Sequence, residues 1–275
     1  MSVPYIKIGA LVGTLFVTLI SSAIPRLILR FTKTEDSRPR ALFYYLMLFS
    51  ASFIACTGLN HALPNAVDAF NAYQHGLGYP WPGIIATASW TVAYIMDTIM
   101  DHRKQTVSVT YNTMLVDTDD DLPPANPWLF TAAIYIASSL EGLVLGASPL
   151  DTGEQTKYLY IILTVLTLHK AVEGFSLANV YEAYEYDLWM QVGLLAVYAV
   201  LTPIGILSGL ILLLSFSGHN ALIAGIFSSI AAGIFIYAGI SLFVSRVIPN
   251  TVRTNWRFLC MGLGWLASSA ISWFA

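Results

Sequence analysis

Long apolar stretches separated by short polar breaks organise the whole chain. A helix rising 1.5 Å per residue needs about 20 apolar residues to cross a hydrocarbon layer about 30 Å thick. Windows of that kind fall at residues 5–24, 41–62, 81–100, 128–146, 158–178, 188–216, 221–244 and 258–275. The pattern predicts an all-α integral membrane protein with eight transmembrane helices in one polytopic domain, residues 1–275. The break at 217–220 is very short, so the sixth and seventh spans meet in a tight turn. The longest break, 101–126, collects Asp117, Asp119, Asp120 and Asp121 ahead of Pro123 and Pro124. That composition favours a solvated, extended segment, and the stretch reads as a mobile acidic cytoplasmic loop.

Composition agrees with a membrane solvent. The chain is 56% hydrophobic and 11% charged, where a soluble domain carries about 25% charged residues. Its net charge of −3 and the lack of a basic cluster on a soluble module argue against a nucleic-acid partner. Cys56 and Cys260 both lie in apolar segments, which suggests neither a disulfide framework nor a thiolate metal site. The first apolar run has no small-residue cleavage site after a short core and reads as a retained span.

Basic residues sort between the two sides. Arg26, Arg30, Lys33, Arg38 and Arg40 lie in the first loop, Arg103 and Lys104 in the third, and Arg246, Arg253 and Arg257 in the seventh, whereas the opposite side holds only Lys7 and Lys157. The positive-inside rule makes those three loops cytoplasmic and places both termini outside or in a lumen. The fifth loop, with Glu182, Glu185 and Asp187, lacks basic residues, but acidic ones weigh little in this rule.

Against this background the ionisable residues inside the spans stand out. Glu141 lies in the fourth span, and the fifth contains Leu168-His169-Lys170-Ala171-Val172-Glu173-Gly174. A charge near the bilayer centre costs about 2.5 to 3.5 kcal/mol on insertion scales, so such groups mark a pathway and need partners. His169 and Glu173 are four apart on one helix face and suit a shared metal ion, with Lys170 turned by about 100° from His169. A structural alternative is a buried Lys170–Glu173 ion pair holding two helices together. Ser138 and Glu141 share a face of the fourth span, while Ala137, Ser138, Ser139 and Gly142 permit close helix approach. Glu141 has no partner in its own span and must look to the fifth, although hairpin register leaves it and His169 roughly 9 Å apart in depth. His61, at the end of span two, is a candidate outer metal ligand or an ordinary interfacial histidine. Asp97 and Asp101 share the cytoplasmic end of span three, and His75 and His219 sit in loops on the other side.

At these residues the chain resembles the ZIP family of metal transporters. Ala137-Ser138-Ser139-Leu140-Glu141-Gly142 follows the family's fourth-span pattern His-Ser/Asn-x-x-Glu-Gly, and His169 to Phe175 is similar to the fifth-span His-Lys-x-x-x-x-Phe of one branch. Asn60-His61-Ala62-Leu63-Pro64-Asn65 looks like the His-x-x-Pro end of the second span. Thr202-Pro203-Ile204-Gly205-Ile206 resembles the sixth-span Pro-x-Gly, and Ala231-Ala232-Gly233-Ile234-Phe235-Ile236-Tyr237 the seventh-span pattern. Ser22 to Pro25 matches the end of the first span.

The resemblance implies a ZIP-like bundle that releases divalent metal into the cytoplasm from a site between spans four and five. Glu141, His169 and Glu173 match ligand positions, and Ser138 matches one that adds a polar side chain. It also implies an elevator-like movement of the fourth and fifth spans, with two others, against a static set. Two departures stand out: Ala137 replaces the fourth-span His, and no carboxylate follows Tyr237 in span seven. Lys170 occupies the position of a second-site ligand in other branches, so its ammonium takes the place of a second metal. Only His102 remains of the histidine-rich cytoplasmic loop common in the family.

The expected cargo is zinc, with ferrous iron or manganese as alternatives, because one imidazole and two carboxylates discriminate little among them. The chain is expected to be no enzyme and to need no prosthetic group. Its expected partners are the metal ion and the bilayer, with a homodimer left open, and the plasma membrane is favoured over an internal one. Two other functions stay in view. One is an intramembrane zinc hydrolase of lipid amides or esters, holding metal through His61, His169 and a carboxylate, and the other is a family member that binds metal without transporting it. The orientation is testable: epitope tags at both ends should be reached by antibody from outside intact cells, or from the lumen of an internal compartment. Ends on opposite sides would refute the even span count.

Overall fold

In hydrocarbon no water is at hand to satisfy backbone N–H and C=O groups, so each apolar stretch must close its hydrogen bonds within itself. The computed structural model describes residues 3–31, 38–74, 80–112, 127–147, 153–184, 186–215, 219–244 and 254–273, and these are helical apart from short turns. The helices are α1 (Val3–Phe31), α2 (Arg38–Thr57), α3 (Leu63–Gln74), α4 (Trp81–Asn112), α5 (Pro127–Ala147), α6 (Gly153–Ala183), α7 (Leu188–Ser215), α8 (Asn220–Val244) and α9 (Thr254–Trp273). Pro39, Pro82 and Pro127 sit in the first turns of α2, α4 and α5, where a missing N–H costs no helical bond.

A π-helical turn, Gly58–Ala62, joins α2 to α3 without a break, so the described residues form eight rods. The Leu63 N–H bonds the Gly58 carbonyl five residues back. Pro64 follows directly, and the widened turn is where the rod accommodates a residue with no N–H to give. The same turn carries His61.

The protein is an all-helical, multi-pass integral membrane bundle. Five described stretches, Tyr44–Tyr73, Trp81–Met100, Pro127–Ala147, Leu188–Leu212 and Asn220–Phe243, are long and apolar enough to cross a membrane, and Val12–Ile28 is a shorter apolar helix. The outer surface is apolar to a degree that water would not tolerate: Trp273 is 86%, Trp189 82% and Leu214 78% exposed. One expectation needs correcting. Residues 101–112, placed in the loop by the sequence pattern, are helical, because α4 continues to Asn112 through a run with neither Gly nor Pro to end it. Residues 113–126, with the four aspartates, lie outside the described residues.

The rods fall into two sets. α5 packs on α7, and α6 packs on α1, which also touches α7. In the other set α8 packs on α2, α3 and α4, and α9 packs on α2. The sets meet mainly where α5 faces α8 and α6 faces α2, while α5 and α6 touch each other only sparsely. The apolar core straddles this boundary, with Phe130, Ile134 and Ala137 of α5, Leu177 and Tyr181 of α6, and Ala231 and Phe235 of α8 in one cluster.

The tightest contact is inside the first set. Gly142 and Gly146 on α5 face Gly205 and Gly209 on α7, two Gly-x-x-x-Gly pairs that bring the backbones together. A Cβ at Gly142 would overlap the Thr202 carbonyl, and one at Gly205 the Ser139 carbonyl. Elsewhere Gly174 abuts Thr18 and Ser21 of α1, while Gly58, Gly225, Gly233, Gly239 and Gly264 each abut a helix of the second set from within it. Among the described residues, no glycine makes a close approach across the boundary between the sets.

Replacing Gly142 or Gly205 by Leu should therefore separate α5 from α7, at a cost of about 1 to 3 kcal/mol or more from overpacking. Gly193→Ala, with nothing within 4 Å of the added carbon, should leave stability equal or slightly raised. Yield of monodisperse protein and thermal unfolding in detergent read the difference. Equal behaviour of Gly142→Leu and Gly193→Ala would contradict the close packing.

Candidate metal site

The ionisable residues inside the spans converge where α5, α6 and α7 meet. Lys170 on α6 is fully buried, and its Nζ lies 2.6 Å from Glu141 Oε2 on α5 and 2.7 Å from Glu173 Oε2 one turn along its own helix. Nζ also donates to Ser138 Oγ at 3.1 Å, and Ser138 shares a hydrogen bond of 2.7 Å with Thr202 Oγ1 of α7. The Tyr198 hydroxyl, four residues before Thr202 and so on the same face of α7, donates to Glu173 Oε2 at 2.6 Å. The Tyr198 ring lies 5.9 Å from Nζ, within cation–π range.

The geometry thus contains the Lys170–Glu173 pair anticipated as a structural alternative and adds Glu141 to it. It also answers the depth mismatch between the two spans. α5 and α6 make little direct contact, and the long lysine side chain closes the remaining distance to Glu141.

His169 occupies the next position around α6. It is fully buried, edge-on to Phe53 at 5.4 Å between ring centroids and 5.0 Å from the His61 ring on the π-turn. Among the described residues, neither His169 nitrogen has a hydrogen-bond partner, and neither do Glu141 Oε1 and Glu173 Oε1. Buried polar atoms are nearly always paired, so unpartnered atoms on His169 and on the two carboxylates held by its neighbour Lys170 make these residues the candidates for a site. Ala137, by contrast, is fully buried in the apolar cluster where the family's fourth-span histidine would stand.

A cavity of about 260 Å³ reaches the site. His61, Asn65, Asp68, Glu141, Leu166 and Ser228 are among the residues that line it. These fall near the ends of α3 and α5 and the start of α8, so the cavity lies toward the end of the bundle where α2–α3 and α5 finish. His61 sits at its inner part, with Nε2 3.5 Å from Asn65 Nδ2.

The structure brings together Glu141, His169, Lys170, Glu173, Ser138 and His61. It leaves the other candidates apart. Asp97 is on α4, away from α5 and α6, and His219 stacks on Tyr73 at 6.0 Å near the bundle end. His75 and the side chains of Asp101 and His102 lie outside the described residues. Sequence reasoning gave no role to Tyr198 or Thr202. The signal was there, two hydroxyl residues at i, i+4 in an otherwise apolar span beside Pro203. As they stand, no three His, Cys, Asp or Glu side chains among the described residues converge as a finished metal site. The ammonium of Lys170 lies against both carboxylates instead.

Comparison with known proteins points the same way. A family model described as ZIP zinc transporter matches residues 5–127. Zinc transporter ZIP1 of Takifugu rubripes is 23% identical over 300 positions, covering 97% of this chain and 97% of the relative. The chain is thus similar to ZIP-family zinc transporters along most of its length.

Other relatives include zinc transporter 3 of Arabidopsis thaliana, 26% identical over 86% of the chain and 70% of the relative. Another is the chloroplastic Fe(2+) transport protein 3 of the same plant, 30% identical over 40% of the chain and 28% of the relative. The likeness is to membrane transporters of divalent metal and not to enzymes, which speaks against the lipid-hydrolase reading.

Proposed function

We propose that this protein carries zinc toward the cytoplasm through a site built from Glu141, His169 and Glu173, with Ser138 as an added polar group and His61 as the outer ligand that meets the ion first. The observation that carries the reading is the set of unpartnered, buried polar atoms on His169, Glu141 and Glu173, with Glu141 and His61 both lining one cavity. The basic loops orient the bundle so that the cavity mouth faces outside, with both termini on that side and the plasma membrane as its location. Zinc follows from the printed names of the relatives that cover most of the chain. The donor set accepts ferrous iron and manganese as well, since imidazole and carboxylate bind all three.

Transport requires the site to face one side and then the other. The two helix sets suggest how: glycine approaches bind α5 to α7 and α6 to α1 in the first set, and the helices of the second set to one another, while no described glycine makes such an approach where α5 packs on α8 and α6 on α2 across the boundary. Sliding of the first set against the second carries the ligands, all three on α5 and α6, across the bilayer midplane. Lys170 supplies a fixed positive charge where other branches bind a second metal, and this leaves one cargo site. A second reading, a member that binds metal without moving it, draws on Ala137, which removes one ligand.

Zinc flux into proteoliposomes made from the purified protein separates the two. Glu141→Ala and Glu173→Ala should each lower uptake by about tenfold or more, with His169→Ala less damaging. Folded abundance must be measured beside flux, because breaking a buried ion pair costs about 3 to 5 kcal/mol and can imitate lost transport. Near-normal flux in either glutamate variant would remove the proposed ligand set, and binding without flux in the parent would favour the second reading.

Ala137 offers an independent check, four residues before Glu141 and on the same helix face. Ala137→His should restore an imidazole to the site and raise the preference for zinc over manganese or ferrous iron, because imidazole suits zinc better than an absent ligand does. The competition ratio between metals, at equal abundance, is the measurement. An unchanged ratio in a folded, active variant would show that position 137 does not face the ion.

A further inference from the structure

Lys170 is in the way of the cargo. Its Nζ touches Glu141 Oε2 at 2.6 Å and Glu173 Oε2 at 2.7 Å, so a divalent ion taking up the unpartnered Oε1 atoms of the same carboxylates would lie beside the ammonium. Two cations that close, inside a low-dielectric interior, repel strongly. That repulsion drives the ammonium off the carboxylates as metal loads, and the surroundings already provide a place for it. Ser138 Oγ accepts from Nζ at 3.1 Å and is itself bonded to Thr202, and the Tyr198 ring lies 5.9 Å away. Those neutral partners can keep a lysine that has given up the carboxylates.

The charge balance shows what the exchange achieves. With both carboxylates ionised, the empty site with Lys170 carries one net negative charge, and the loaded site one net positive charge. Without Lys170 the empty site would carry two negative charges and the loaded site none. The cost of holding charge in hydrocarbon rises as the square of that charge. The lysine thus makes the empty and loaded forms comparably expensive to move, where its absence would penalise the empty form alone.

We propose that Lys170 is a tethered counter-ion that trades places with the cargo: it pairs with Glu141 and Glu173 while the empty carrier returns, and it withdraws to Ser138 and Tyr198 when metal loads. The proposal rests on the reading of Glu141 and Glu173 as cargo ligands. Lys170 acts through those ligands and is a positioning residue.

The experiment compares net zinc uptake into zinc-free proteoliposomes with isotopic zinc exchange into zinc-preloaded ones, because exchange never needs the empty carrier to return. In Lys170→Met, loss of the competing cation should lower the KM for zinc about fivefold. Exchange should stay within about twofold of the parent while net uptake falls about tenfold, a split between ground-state binding and turnover. Lys170→Arg keeps the charge and grips carboxylates in a bidentate fork, so its KM should rise about threefold or more with the ratio of net uptake to exchange preserved. Net uptake and exchange falling in proportion in Lys170→Met, or KM moving in the same direction in both variants, would overturn the proposal. If Lys170→Met does not fold, an unchanged KM in Lys170→Arg overturns it alone. Glu141→Gln and Glu173→Gln are run in parallel. Retained flux in those variants would mean that the ligand assignment is what fails, whereas their inactivity beside unsplit Lys170 variants would discard only the exchange.

Discussion

Everything in this bundle is arranged around one constraint, that two carboxylates in the middle of an apolar protein must be neutralised. Lys170 offsets one of the two charges in the structure described, with contacts of 2.6 and 2.7 Å from a fully buried ammonium. Such a cluster is a poor way to gain stability, because desolvating the charges costs about as much as their attraction returns. It also cannot be trimmed, since removing one member strands the others. A protein that needed only to hold α5 near α6 would do so with apolar packing, as it does between α5 and α7. The ionic cluster is better understood as the residue of a function that needs anionic oxygen in the membrane.

The helix packing follows from that need. α5 and α6 contribute the acidic groups yet scarcely touch. Each is held by a different neighbour, α5 by the paired glycines of α7 and α6 by α1 against Gly174. The space left between them is where Lys170, Ser138 and the Tyr198 hydroxyl meet. On the other side of the boundary the π-turn before Pro64 presents His61 next to His169. The two imidazoles thus belong to different helix sets, and the cavity that reaches His61 lies along the seam.

Much of this could be read from the chain. Eight apolar windows gave eight rods because the hydrocarbon forces each stretch into a helix, leaving periodicity with little to decide. Glu141, His169, Lys170 and Glu173 were visible for the same reason, as ionisable side chains where nothing else is polar. The partners that finish the site were not. Tyr198 and Thr202 are hydroxyl residues of a kind that membrane helices carry for ordinary packing, and only their positions opposite Glu173 and Ser138 distinguish them. The π-turn was equally hidden, since Pro64 announces a disturbance in the helix but not its form. The hairpin picture of spans four and five suggested an intimate pair with a depth error of roughly 9 Å. The error was in assuming that neighbours in sequence must be the closest neighbours in space.

The ligands that this chain lacks fit the same logic. A zinc ion held for structure takes four protein ligands in a closed tetrahedron. Glu141, His169 and Glu173 offer one fewer, Ala137 adds none, and the nearby cavity leaves the remaining positions to water or to His61. Conduction asks for binding strong enough to draw the ion out of water and weak enough to release it. The three proposed donors, with one lysine competing for two of them and a cavity beside Glu141 and His61, would make a site of that intermediate strength. A fuller ligand set would bind more tightly and release more slowly, so the sparse coordination that looks like decay beside the family pattern is compatible with a working carrier.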